Sequence, residues 1–163
     1  MGDTSRKLWV SLATGLAAAA VEMAVVLPIQ AAMGASPALV FQSIAAGAVG
    51  RAAALAGGAS TVALGVFVHV LISVVAAGLY VFASDRLPVL LRRPVTLGIL
   101  YGVPCYGVMT FVVIPLSRIG FALPKSLLLF SLSFGTHLFA FGLPIAVVAR
   151  LLLSAPGVSR PAV

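Results

Sequence analysis

Residues 8–27 read LWVSLATGLAAAAVEMAVVL, and Glu22 is the one ionisable side chain among them. Twenty residues in a helix span about 30 Å, the thickness of the hydrocarbon core of a bilayer. The run is rich in Ala, Leu and Val and lacks the period-2 alternation of a strand, so it predicts a membrane-spanning helix. Arg6 and Lys7 precede it, and the alanines at 17–20 have the small side chains of a signal-peptide cleavage site. The apolar character continues past Ala20 to Leu27, which favours a retained first span over a cleaved signal. Pro28 then ends the helix or bends it.

Further along the chain, three more runs have the same character. Residues 60–83 are closed by Ser84, Asp85 and Arg86; residues 95–114 are bounded by Pro94 and Pro115; residues 126–153 carry Arg150 near their end. The last run is longer than one crossing requires, a surplus that tilt can absorb. Residues 37–55 differ. Ser36 is a good cap and Pro37 suits a first helical position, but Gln42, Ser43 and Arg51 make the segment too polar for a comfortable span, and Gly57 and Gly58 stop it. It reads as a short helix lying at the interface or re-entering between spans 1 and 2, with a fifth span as the alternative. The expected fold is therefore all-α: residues 1–163 form a single integral membrane bundle of four transmembrane helices.

Composition agrees. Hydrophobic residues make up 62% of the chain and charged residues 8%, against roughly half and a quarter in a soluble domain. Such a chain needs an apolar surrounding, and the lipid bilayer is the expected partner. The net charge of +7 does not indicate nucleic acid. The Lys and Arg residues sit at the ends of apolar runs, as membrane anchors do, and are not clustered on one face. Cys105 is the single cysteine and lies within an apolar run, so it reads as a buried packing residue.

Orientation follows from the basic residues. Arg6, Lys7, Arg86, Arg92, Arg93, Arg150 and Arg160 fall on one side, and Arg51, Arg118 and Lys125 on the other. The positive-inside rule places both termini of this multi-pass protein in the cytoplasm. Small residues predict close packing: Gly98 and Gly102 form a GxxxG pair in span 3, and Ala76, Ala77 and Gly78 give span 2 a small face. Pro104 and Pro144 interrupt spans 3 and 4 and can kink them.

Three ionisable side chains lie deep within spans: Glu22, His69 and His137. Measured from the outer ends of their spans they sit roughly 8, 14 and 16 Å deep, so they can meet in the outer half of the bundle. Ser73, Tyr106, Thr110, Ser133 and Thr136 are polar neighbours at similar depth. The plainest reading is a satisfied polar network that fixes helix register. A carboxylate with two imidazoles can also relay protons or hold a cation. His69 and His137 could hold a haem from two helices, and all three could bind a transition metal. Arg51 could turn inward to pair with Glu22, although snorkelling to headgroups is the simpler reading. Patterns for HExxH, GxSxG and Walker A chemistry are absent, and Asp85 is the only acidic residue after Glu22, so no enzymatic activity and no cofactor is expected.

From about residue 60 onward the chain resembles the YagU-like family of small bacterial inner-membrane proteins. The resemblance rests on Val68-His69-Val70-Leu71-Ile72-Ser73 leading to Gly78-Leu79-Tyr80, on Ile114-Pro115-Leu116, and on Phe134-Gly135-Thr136-His137-Leu138 followed by Arg150. It departs at Thr136, between Gly135 and His137, and in its short, Ala-rich first extracytoplasmic segment. The resemblance implies a four-helix inner-membrane protein with His69 and His137 as the histidines of spans 2 and 4; it implies no mechanism. Two functional classes follow. The first is a non-enzymatic accessory or structural component of a larger membrane complex. The second is a proton- or solute-coupled transporter or channel that uses the Glu22, His69 and His137 cluster and can assemble as a homo-oligomer.

Overall fold

The structure, a computed structural model, describes residues 2–120 and 126–154. Lys125 and Arg160, two of the residues in the charge count, lie outside the described residues. The described chain is helical, with no strand. Its helices are α1 (Asp3–Ala32), α2 (Pro37–Val49), α3 (Arg51–Ala56), α4 (Gly58–Ala83), α5 (Val89–Arg92), α6 (Pro94–Val108), α7 (Ile114–Leu116), α8 (Leu127–Gly135) and α9 (Leu143–Ser154). A π-helical segment, Met109–Val113, joins α6 to α7, and a second, Thr136–Gly142, joins α8 to α9. Four stretches are long and apolar enough to cross a membrane: Asp3–Ala32, Gly58–Ala83, Pro94–Leu116 and Leu127–Ser154.

Two boundaries differ from the sequence reading, and each has a glycine behind it. Pro28 does not end α1, because one missing N–H within an otherwise apolar helix is tolerated. The helix runs on until Gly34 adopts φ +86° and forms a Schellman cap, in which Gly34 N–H donates to Ala31 O and Ala35 N–H to Gln30 O, both at 2.9 Å. The expected single helix over 37–55 is broken at Gly50, whose φ of +85° turns the chain between α2 and α3. The start of α2 is as expected: Ser36 Oγ accepts from Leu39 N at 3.2 Å and Pro37 occupies the first turn.

Both π segments precede a proline. Phe111 and Ala140 stand four residues before Pro115 and Pro144, where the proline ring meets the preceding carbonyl. Widening the turn relieves that clash and gives each helix a π bulge.

The helices pack where side chains are smallest. A Cβ on Gly98 would stand 2.7 Å from Ala146 Cβ, and one on Gly102 would stand 2.5 Å from Leu138 Cα. The GxxxG pair is thus the contact of α6 with the second π segment and α9. Gly15 meets Val74 between α1 and α4, and Gly65 meets the Phe41 carbonyl between α4 and α2. One end of the bundle is tied by polar groups. Arg6 donates to the carbonyls of Leu153 at 2.9 Å and Leu152 at 3.3 Å, while Lys7 pairs with Asp3 and, at 2.7 Å, with Asp85. These contacts gather the start of α1, the end of α4 and the end of α9 at one end. Arg51 and Arg118 stand at the other, where Arg118 N–H donates to Gly47 O at 2.9 Å.

Candidate functional site

Glu22, His69 and His137 line one cavity of about 710 Å³, whose lining extends to Ser117 and Ile119 on either side of Arg118. The longer α1 levels their depths. Glu22 lies ten residues before Ala32, His69 eleven after Gly58 and His137 ten after Leu127, or about 15, 16 and 15 Å along their helices. Met23, Val26, Val68, Ile72, Met109 and Leu132 contribute apolar wall, and α2 lies across the mouth with Leu39, Ser43 and Gly47.

The floor is organised by hydrogen bonds to the backbone. His69 Nε2 lies 3.3 Å from Ala19 O and 3.9 Å from Glu22 Oε2. A carbonyl oxygen can only accept, so Nε2 carries the proton. His137 Nδ1 lies 2.8 Å from Ser133 O and by the same reasoning is the protonated nitrogen. Ser73 Oγ donates to His69 O at 2.8 Å, and Thr136 Oγ1 to Ser133 O at 2.9 Å. Glu22 is buried, with the His69 imidazole as its nearest basic partner.

Of the supporting residues named from sequence, Ser73 and Thr136 line the cavity. Tyr106 stands behind it: the ring packs edge-on against His137, with centroids 5.4 Å apart, and against Phe134 at 5.2 Å. Arg51 is exposed at the start of α3 and does not reach Glu22, which corrects the inward pairing and leaves the snorkelling geometry. The transition-metal reading is also corrected. Among the described residues no three His, Cys, Asp or Glu side chains gather as a ligand set, because His137 is held to its own helix while Glu22 and His69 face each other. His69 and His137 each direct one ring N–H to a backbone carbonyl and keep the other ring nitrogen as an acceptor.

Sequence reasoning missed Thr14. It is fully buried, and its hydroxyl has no hydrogen-bond partner. Ser11, Thr14 and Glu22 recur at helical spacing on one face of α1, so the signal was present in the periodicity. Below the cavity the bundle closes: Tyr101 Oη–H donates to Ala76 O at 2.8 Å, and the Tyr80 and Tyr101 rings meet edge-on at 5.0 Å over the buried Ile145.

No family model, no curated protein and no solved structure matches the chain.

Proposed function

We propose that this is a non-enzymatic, multi-pass membrane protein that admits a small solute into the cavity between its helices, as the binding step of proton- or solute-coupled transport. The cavity carries this reading. A bundle that served only as structure would be close-packed inside, whereas this one leaves about 710 Å³ beside its three deep ionisable groups. That volume lies within the range of small-molecule sites. The tyrosine-closed end and the open end suit a protein caught facing one side, and the two π segments that border the cavity are natural points of bending. The accessory-subunit reading explains the close glycine contacts equally well but gives the cavity no task.

The six described basic residues at the closed end, Arg6, Lys7, Arg86, Arg92, Arg93 and Arg150, against Arg51 and Arg118 at the other, support cytoplasmic termini in a bacterial inner membrane. The cavity would then open outward. The resemblance to the YagU-like family agrees with that location. Phe67, Leu71, Val75 and Leu79 repeat every four residues on the exposed side of α4, a face suited to lipid or to a second copy.

Cysteine accessibility tests the reading. In a Cys105→Ala background, Ser133→Cys on the cavity floor should react with the small neutral reagent methyl methanethiosulfonate at least tenfold faster than Thr14→Cys in the closed half. Adding Val68→Trp, which fills the cavity, should suppress that reaction. Equal rates at the two cysteines would remove the cavity and the function built on it.

A further inference from the structure

We infer that the solute is an organic amine, a cationic nitrogen on a compact apolar body. The inference rests on the cavity reading and specifies its ligand. It follows from the hydrogen-bond accounting of the floor. The ring N–H of His137 and the hydroxyl protons of Ser73 and Thr136 are all donated to backbone carbonyls. The His69 N–H is directed to Ala19 O, with Glu22 behind it. What the floor still offers is acceptor capacity: the Glu22 carboxylate, His137 Nε2, and the lone pairs of the two hydroxyls. Ser133 Oγ can serve as donor or acceptor, and Gln30 near the mouth supplies the remaining side-chain N–H groups.

Charge points the same way. Among the described residues no Lys or Arg lines the cavity, and Glu22 is the one lining residue with a carboxylate. A buried carboxylate without a cationic partner is costly to keep charged. A ligand ammonium supplies the missing charge, and its N–H groups meet the acceptors that surround it. An anion would face the carboxylate and find few donors. A bare metal ion would lack a ligand set, since among the described residues no third metal-binding side chain joins Glu22 and His69. The walls complete the description. Their Met, Val, Ile and Leu side chains, with the Phe141 ring at the floor, cover an apolar body and leave polar contacts only at its head. The volume is far larger than an ammonium ion needs and fits a head with a hydrocarbon or aromatic body attached.

A protection assay separates this assignment from the reading beneath it. In the Cys105→Ala, Ser133→Cys protein reconstituted in nanodiscs, methyl methanethiosulfonate labelling is followed against increasing 2-phenylethylamine, 2-phenylethanol or 3-phenylpropionate. The three probes share one aromatic body and differ in the head. The amine should protect the cysteine at a concentration at least tenfold below that of the alcohol, and the carboxylate should not protect. Glu22→Gln should bring amine and alcohol to parity. Equal protection by amine and alcohol, protection by the carboxylate, or an amine preference that survives Glu22→Gln would overturn the ligand class while leaving the cavity in place. A Ser133→Cys that reacts no faster than Thr14→Cys before any probe is added would overturn the cavity reading itself, and the assignment with it. Ile72→Cys, also on the cavity wall, repeats the series if Ser133→Cys folds poorly.

Discussion

Gly102→Ala adds one methyl group at the tightest point between α6 and the second π segment. The new Cβ would lie 2.5 Å from Leu138 Cα and onto the His137 carbonyl oxygen, where carbon atoms pack at about 3.5–4.0 Å. The shortfall is about 1 Å or more, and both obstacles are backbone, so no side-chain rotation relieves it. The helices must separate, loosening the Gly98 and Gly142 contacts on either side. Overpacking of this kind costs about 1–3 kcal/mol. Alanine also favours a helix over glycine by about 1 kcal/mol, which partly hides the cost. Gly107→Ala removes that ambiguity. It lies five residues further along the same membrane-crossing stretch, and its added Cβ meets nothing within 4 Å, so it receives the helix gain without the clash. Thermal unfolding of both variants in the same detergent should place Gly102→Ala below Gly107→Ala by about 1–3 kcal/mol. Because the clash falls on the His137 backbone, Gly102→Ala should also change labelling at Ser133→Cys, whereas Gly107→Ala should not. Equal stability of the two alanine variants would refute the close contact.

Other perturbations probe separate parts of the molecule. His137→Leu removes the bond to Ser133 O and the edge-on contact with Tyr106, and should lower stability by about 1 kcal/mol in chemical denaturation; an unchanged midpoint would count against a positioned imidazole. Thr61→Val keeps the shape of a buried side chain but removes the hydroxyl that donates to Ala54 O at 2.6 Å. It should cost about 1–2 kcal/mol and speed hydrogen exchange in α3, and unaltered exchange there would contradict the anchoring of α3 to α4. On sealed vesicles, an impermeant maleimide should label Ser5→Cys and Arg86→Cys from one side and Arg118→Cys from the other. Labelling of all three from the same side would break the four-span topology.

The number and character of the long helices were legible in the sequence because hydrophobic length is a coarse property that one chain carries by itself. Residues 8–27 could hardly be anything but a span. The ends were less legible, because a helix boundary depends on local backbone conformation. Pro28 resembles a stop and is not one; Gly34 resembles an ordinary loop residue and is the cap. Gly50 divided what the composition of 37–55 presented as one helix, since nothing in an Ala-rich run marks which glycine adopts the left-handed region. The prolines were visible, but their effect was not. Pro115 and Pro144 act on the turns before them, and the outcome is a π bulge on each side of the cavity rather than a simple kink.

The candidate site was legible in its members but not in its nature, and the reason lies in what lipid does to polar residues. A carboxylate or imidazole deep in an apolar run must face the interior, so Glu22, His69 and His137 could be brought together from depth alone. Depth does not say whether such groups satisfy one another or leave capacity unused. That distinction depends on the backbone carbonyls of Ala19 and Ser133, which take the imidazole protons, and no side-chain pattern reveals which carbonyls are within reach. Once those protons are committed, the floor becomes a set of acceptors around one carboxylate, with empty volume above it. The self-satisfied network, the plainest reading of the sequence, would need a donor for Glu22 beyond a His69 N–H that is 3.9 Å away and directed elsewhere. Among the described residues no other side-chain donor meets Glu22, and that is the feature on which the proposed cationic ligand rests.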